Sequence, residues 1–309
     1  MAQTIKTKLD ILDRYRSHSV NSDPGRYAHL YDGLPEDIPS LCGVVQQTLL
    51  HMFWIGEETY GLTHRDLKGA GRKLCVEFSL STMAERLASI VALDTHPLSE
   101  PRDVHHRSVG CCRDYALMLC SILRHRRIPA RVRTGVALYF VAPEGRLIED
   151  HYITEYWNDA TQQWRLVDPQ IDEIQRPAIE PDLDTGNLPR DVFLTGHELV
   201  EALQEERVPQ SVGFPPVNAG FTYGRNKLFA DFVGLTSHEL PVHAWWGLGE
   251  PGSVEPGDDG LIAQLVKIMR GIDANDPAAL TAALELASTH PRLAKPVEYV
   301  VPLYQSPLC

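Results

Sequence analysis

Three positions in the middle of the chain carry side chains suited to nucleophilic acyl transfer: a cysteine at 111 or 112, His151 and Asp168. In such chemistry a thiolate attacks a carbonyl carbon, an imidazole moves the proton, and a carboxylate fixes the imidazole's tautomer. The run Gly110-Cys111-Cys112-Arg113-Asp114-Tyr115-Ala116 leads into Leu117–Leu123. Ala116, Leu119, Cys120 and Leu123 recur at i, i+3, i+4 and i+7, which predicts a helix with one buried face. Its basic end (Arg124, His125, Arg126, Arg127) suits the negative pole of the helix dipole, and Pro129 stops it. Cys111 and Cys112 therefore stand at the positive end, where free N–H groups stabilise an anion. A thiol there falls below its free value of about 8.5, and the same N–H groups suit an oxyanion. Position alone does not make a cysteine catalytic, since free cysteine is among the most buried residue types. Nor does it choose between Cys111 and Cys112; Cys120, on the apolar face, reads as core. A metal site from Cys111, Cys112, His105 and His106 is disfavoured, because adjacent cysteines make a poor tetrahedral pair and no C-x-x-C spacing exists.

Other elements must bring the base and its orienter to that thiol. His151 opens the strand-like run HYITEYW, Asp168 closes QWRLVD, and Asn158–Gln162 between them are turn formers. A hairpin centred on that turn opposes residues whose numbers sum to about 319. The pairs are then Tyr156 with Gln163, Thr154 with Arg165, Tyr152 with Val167, and His151 with Asp168. Opposed side chains share a face and can hydrogen-bond, whereas a one-residue slip would turn one of them away.

Around this centre lie a third strand-like run, Ala130–Phe140, and helical patterns on both flanks. Ser40–Phe53 places Leu41, Val44, Val45, Leu49 and Met52 at helical spacing, and Ser81–Val91 does the same with Met83, Leu87, Ile90 and Val91. Leu261–Arg270 is a further helix, and Asp276-Pro277 supplies an N-cap and first-turn proline for another through Leu286. Arg176–Pro189 reads as a linker or surface crossover, with Val208–Gly220 and Gly247–Gly260 as further Pro/Gly-rich loops. The fold class is α+β. Residues 1–95 form a helical N-terminal region, 96–176 the catalytic core, and 177–309 a loop-rich then helical extension, packed as one body.

With 309 residues, 43% of them hydrophobic, the chain can bury a substantial core. A net charge of −12 argues against a nucleic-acid partner. Met1–Arg16 has no continuous apolar stretch of the secretory kind, and no segment approaches the roughly 20 apolar residues of a membrane span. The six cysteines (Cys42, Cys75, Cys111, Cys112, Cys120, Cys309) show no paired framework and read as reduced thiols in a cytoplasmic protein. Cys309 is not four residues from the end, as a prenylation box requires.

Gly110-x-Cys112-x-Asp114-x-Ala116, with Leu123-Arg124 and Ile128-Pro129-Ala130-Arg131, resembles the cysteine motif of the transglutaminase-like superfamily. Asp150-His151 at a strand start and Val167-Asp168-Pro169 at a strand end resemble that family's histidine and aspartate motifs, in the same order, over roughly Val104–Asp172. The resemblance implies that Cys112 is the nucleophile, His151 the base and Asp168 its orienter. It also implies a papain-like core, with the nucleophile helix packed on an antiparallel sheet. Arg127 stands where the family usually has glycine, so the helix exit must differ or accept strain. Tyr152-Ile153 also departs from the usual residues after the histidine.

The implied reaction is ping-pong acyl transfer on a small-molecule or peptide amide. Hydrolysis leads; transfer to an amine and a non-catalytic binding module are the alternatives. No cofactor is expected, and no calcium loop is present. Trp54 or Gln47 would supply a side chain to the oxyanion, although Trp54 suits the core or cleft rim better. Trp245, Trp246 and Phe221 suit core packing better than a pocket. Specificity is expected in the N-terminal helices and the loops Arg176–Pro189 and Val208–Gly220.

Overall fold

The helix Cys112–His125 is buried along its whole length from Cys112 to Arg124 in the computed structural model, which describes residues 5–143 and 145–309. The sequence predicts one buried face, but the helix is enclosed on every side. Its charges tolerate this because each has a partner. Asp114 pairs with Arg113 at 3.0 Å and Arg86 at 3.2 Å, and Arg124 pairs with Glu239 at 2.8 Å. Unpaired, such charges would cost several kcal/mol each, on the order of the penalty for breaking a buried ion pair.

Enclosure comes from helices Ile38–Thr48 and Met83–Leu93 on one side and a sheet on the other. Among the described residues the sheet comprises β3 (Ala130–Ala142), β4 (Gly145–Asn158), β5 (Gln163–Val167) and β6 (Phe193–Thr195), in the order β5-β4-β3-β6, all antiparallel. Thr154 on β4 donates to the Ala116 carbonyl at 2.9 Å, tying the sheet to the first turns of the helix. A short parallel pair, β1 (Leu49–His51) with β2 (Ser108–Gly110), runs into the helix start.

The hairpin register differs from the predicted one. Thr154 opposes Val167, Tyr156 opposes Arg165 and Asn158 opposes Gln163, so pairing is shifted by two residues. The cause lies in the turn. Asn158 stays in the strand while its side chain accepts from Thr161 N at 3.0 Å, and Gln162 takes a left-handed φ of 54°. A two-residue shift preserves the face of every side chain.

Other expectations also change. The helix expected over Ser40–Phe53 ends at Thr48, after which Leu49–His51 turn extended to pair with β2. Both faces of this strand are covered, so it lacks the alternation that betrays a half-exposed strand. Of the two readings of Arg176–Pro189, the crossover holds and the linker does not: the segment runs from β5 toward β6, and Ile179, Leu183 and Leu188 pack with Phe140, Ile153 and Leu166 to cover one face of the sheet. The helices Gly196–Gln204 and Gly220–Leu235 were not foreseen, whereas Asp258–Asp273 and Pro277–Thr289 contain those that were. Buried Arg133 on β3 bonds Asp231 and Asp273, joining the sheet to two C-terminal helices.

Not all cysteines are reduced. Cys75 and Cys309 form a disulfide with Cα atoms 5.3 Å apart, while Cys42, Cys111, Cys112 and Cys120 are free and buried. Distant residues meet here, and spacing along the chain cannot reveal such a pair. No helix among the described residues is long and apolar enough to cross a membrane. Residues 1–4, the start of the segment read for an export signal, lie outside the described residues.

Candidate active site

Cys112 is the first residue of its helix, with Cys111 as the N-cap. The turn before it is built by Asp114, whose Oδ2 accepts from Cys111 N at 2.9 Å. A side chain at Gly110 would place its Cβ 2.6 Å from that same oxygen, which accounts for glycine at this position. The Gly110-x-Cys112-x-Asp114 pattern is thus a means of aiming the second cysteine. At the other end, Arg127 adopts φ 62° and closes a Schellman motif, with Arg127 N on Arg124 O and Ile128 N on Leu123 O. The helix exit keeps the geometry that usually calls for glycine and accepts the strain.

His151 on β4 and Asp168, just past β5, meet as the shifted register allows. Asp168 would continue the ladder opposite Ile153, so the pair is diagonal on one face rather than face to face. His151 Nε2 lies 2.8 Å from Asp168 Oδ2. The Tyr139 hydroxyl donates to the same oxygen at 2.7 Å, and Gln170 N donates to Oδ1 at 2.9 Å. Edge-on Phe140 and Tyr139 rings, 5.4 and 6.1 Å away, hold the imidazole plane. With Nε2 committed to the carboxylate, Nδ1 is the nitrogen left for the thiol.

The electrostatics follow from this arrangement. The Cys112 thiol is held well below its ordinary value by a hydrogen bond from Cys111 and, against the opposing effect of burial, by His151 and His51. Cys111 moves the other way, raised by its bond to Cys112 and by burial. The proton therefore stays on Cys111. Burial alone would lower His151, but the charge and hydrogen bond of Asp168, joined by Cys112, push it up to about 10. The two opposite shifts favour a thiolate–imidazolium pair. Burial instead pushes the thiols of Cys42 and Cys120 up to about 12.

Cys111, Cys112 and His151 open onto a cavity of about 710 Å³ with a largely aromatic and aliphatic wall. Phe53 and Trp54 come from the N-terminal part, Ala178 and Phe214 from the two loops, and Val242, His243, Trp245 and Tyr304 from the C-terminal part. Trp54 sits on the cavity wall, while Gln47 does not reach it. Trp245, half-buried, packs against the C-terminal core as expected and also lines the cavity, whereas Trp246 is buried, donating to Leu293 O at 2.9 Å. Phe221 is half-buried beside the C-terminal core.

Three contributors were missed. His51 lies inside the run Ser40–Phe53 that reads as helix, Tyr139 lies on the expected strand without a distinguishing motif, and Lys227, which pairs with Asp150 beside His151, sits in an unforeseen helix.

Residues 81–169 match the family model of the transglutaminase-like superfamily. The transglutaminase-like segment contains Cys112, His151 and Asp168, and members of that superfamily are usually cysteine-dependent enzymes. No curated protein and no solved structure matches the chain.

Proposed function

We propose that the chain is a cysteine-dependent enzyme that hydrolyses an amide or peptide bond through an acyl thioester on Cys112. The observation that carries this reading is the orientation of His151, with Nε2 on Asp168 and Nδ1 free for a thiol held as thiolate. The Cys112 sulfur attacks the carbonyl carbon, and His151 delivers its proton to the departing nitrogen. Water, deprotonated by the now neutral His151, then adds to the thioester carbonyl and releases the acid. Asp168 keeps the tautomer throughout. The helix packed on an antiparallel sheet supports a papain-like description of the core. The Cys75–Cys309 bond withdraws the reduced-thiol argument for a cytoplasmic setting, and the reaction itself requires no particular compartment.

The test is alkylation by iodoacetamide near neutral pH, with the label mapped. Cys112 is expected to react far faster than Cys42 and Cys120; equal rates would end the thiolate proposal. Hydrolysis is tested by following an activated acyl ester with and without added amines. A thioester that persists in water and clears only with an amine would make the protein a transamidase.

A further inference from the structure

A second histidine faces the nucleophile. His51 ends β1, which runs parallel to β2 with His51 beside Gly110, two residues before Cys112. Its ring lines the same cavity as Cys112 and is only 7% exposed. Phe53 and Tyr115, with ring centres 5.8 and 6.2 Å away, flank it. Its Nδ1 is buried with no hydrogen-bond partner among the described residues. A buried polar atom left unpaired costs roughly 1–3 kcal/mol, so an imidazole kept at the cavity wall beside the nucleophile at that cost is not explained by packing alone.

We propose that His51 is a catalytic residue, its imidazole N–H donating to the oxyanion formed when Cys112 attacks a carbonyl. The inference rests on the acyl-transfer reading above. As the sulfur–carbon bond forms, the carbonyl π pair moves onto oxygen, where His51 and the backbone N–H of Cys112, unpaired at the first helical position, hold it. On collapse the pair re-forms the C=O bond and the bond to the leaving group breaks. The proton for a departing nitrogen comes from His151, and His51 keeps its own. His51 also helps lower the Cys112 thiol, which agrees with a ring turned toward the reacting atoms. Trp54 lines the cavity as well, but lies beyond the strand that is in register with Gly110.

The experiment compares two reactions of one thiolate at pH 8 in the full-length protein. Acylation by p-nitrophenyl butyrate passes through an oxyanion and is read as a burst of nitrophenolate; alkylation by iodoacetamide does not. In H51A the burst rate should fall about 10²–10³-fold, as when one oxyanion donor is removed. Although His51 contributes to lowering the thiol, the larger effect of Cys111 and the His151 partner remain, so at pH 8 alkylation of Cys112 in H51A should stay within about twofold, which also shows that the variant is folded around its thiol. H51Q, which restores a side-chain N–H, should recover acylation to within about tenfold of wild type. Wild-type acylation in H51A overturns the proposal, as does a parallel fall in alkylation, which would make His51 a support for the thiolate instead. Loss of the burst in W54F with retention in H51A would transfer the role to Trp54. Slow alkylation of Cys112 in the wild type would instead overturn the underlying acyl-transfer reading, and this inference with it.

Discussion

His151 Nε2 stands 2.8 Å from Asp168 Oδ2, at the open end of a hairpin whose register sets the two residues diagonally on one face. The contact fixes which imidazole nitrogen meets the thiol and supplies the charge that raises His151. Asp168→Asn keeps the shape but presents an amide that favours the wrong tautomer. Acyl transfer should fall by about 10³–10⁴-fold. The imidazolium should also titrate well below its present value of about 10, which a histidine-resolved NMR titration would show. An unchanged titration would mean that Asp168 does not govern the charge on His151.

The directions of the two shifts fix the pH dependence. Cys112 is lowered, so its thiolate is present above that lowered value and is lost only as pH falls through it. His151 is raised, so the imidazolium is present below about 10 and is lost as pH rises through it. Cys112 alkylation should therefore already be near its plateau at neutral pH. Acyl transfer that needs a proton for its leaving group should decline on the alkaline side near pH 10. A profile that rises only around 8.5, the value of a free thiol, would contradict the ion pair.

How far the site was legible depended on what each residue's neighbours displayed. The family resemblance could single out Cys112 over Cys111 because Gly110 and Asp114, which carry that motif, are locally required to shape the helix start. The His151–Asp168 pairing survived an incorrect register because the shift was even and the pleat has a period of two. His51 was not legible, because Leu49 and Leu50 continue the apolar run of the preceding helix although the chain has turned extended. The helix Gly220–Leu235 escaped for a similar reason. Buried nearly all round, with Asn226, Lys227 and Asp231 inside, it shows no apolar stripe. Its polar residues have partners, Gly249 O, Asp150 and Arg133, that lie far away in the chain.

Arg127 occupies a left-handed position, φ 62°, at the end of the nucleophile helix. A side chain there costs about 1–2 kcal/mol relative to the right-handed region, whereas glycine is indifferent. Arg127→Gly should keep the Schellman hydrogen bonds and stabilise the protein by about 1 kcal/mol, after the added chain entropy of glycine is offset. The measurement is the urea midpoint. A lower midpoint would show that the arginine side chain contributes more than its backbone strain costs.

The C-terminal tail forms part of the cavity wall, and two kinds of interaction hold it there. Tyr304 lines the cavity, stacks against Phe78 with ring centres 4.3 Å apart, and donates its N–H to Ser79 Oγ at 2.8 Å. Beyond it, the disulfide joins Cys309 to Cys75, 234 positions apart. Closing so long a loop restricts the unfolded chain strongly, and removing such a bond typically costs about 2–4 kcal/mol. Cys75→Ser should lower the urea midpoint accordingly. It should also leave the tail held by noncovalent contacts alone, those of Tyr304 together with His243 on Pro302 O and Leu308 against the core, so chymotrypsin should cut after Tyr304 faster than in the wild type. Equal cleavage rates in the folded proteins would show that packing and these hydrogen bonds alone keep this wall in place.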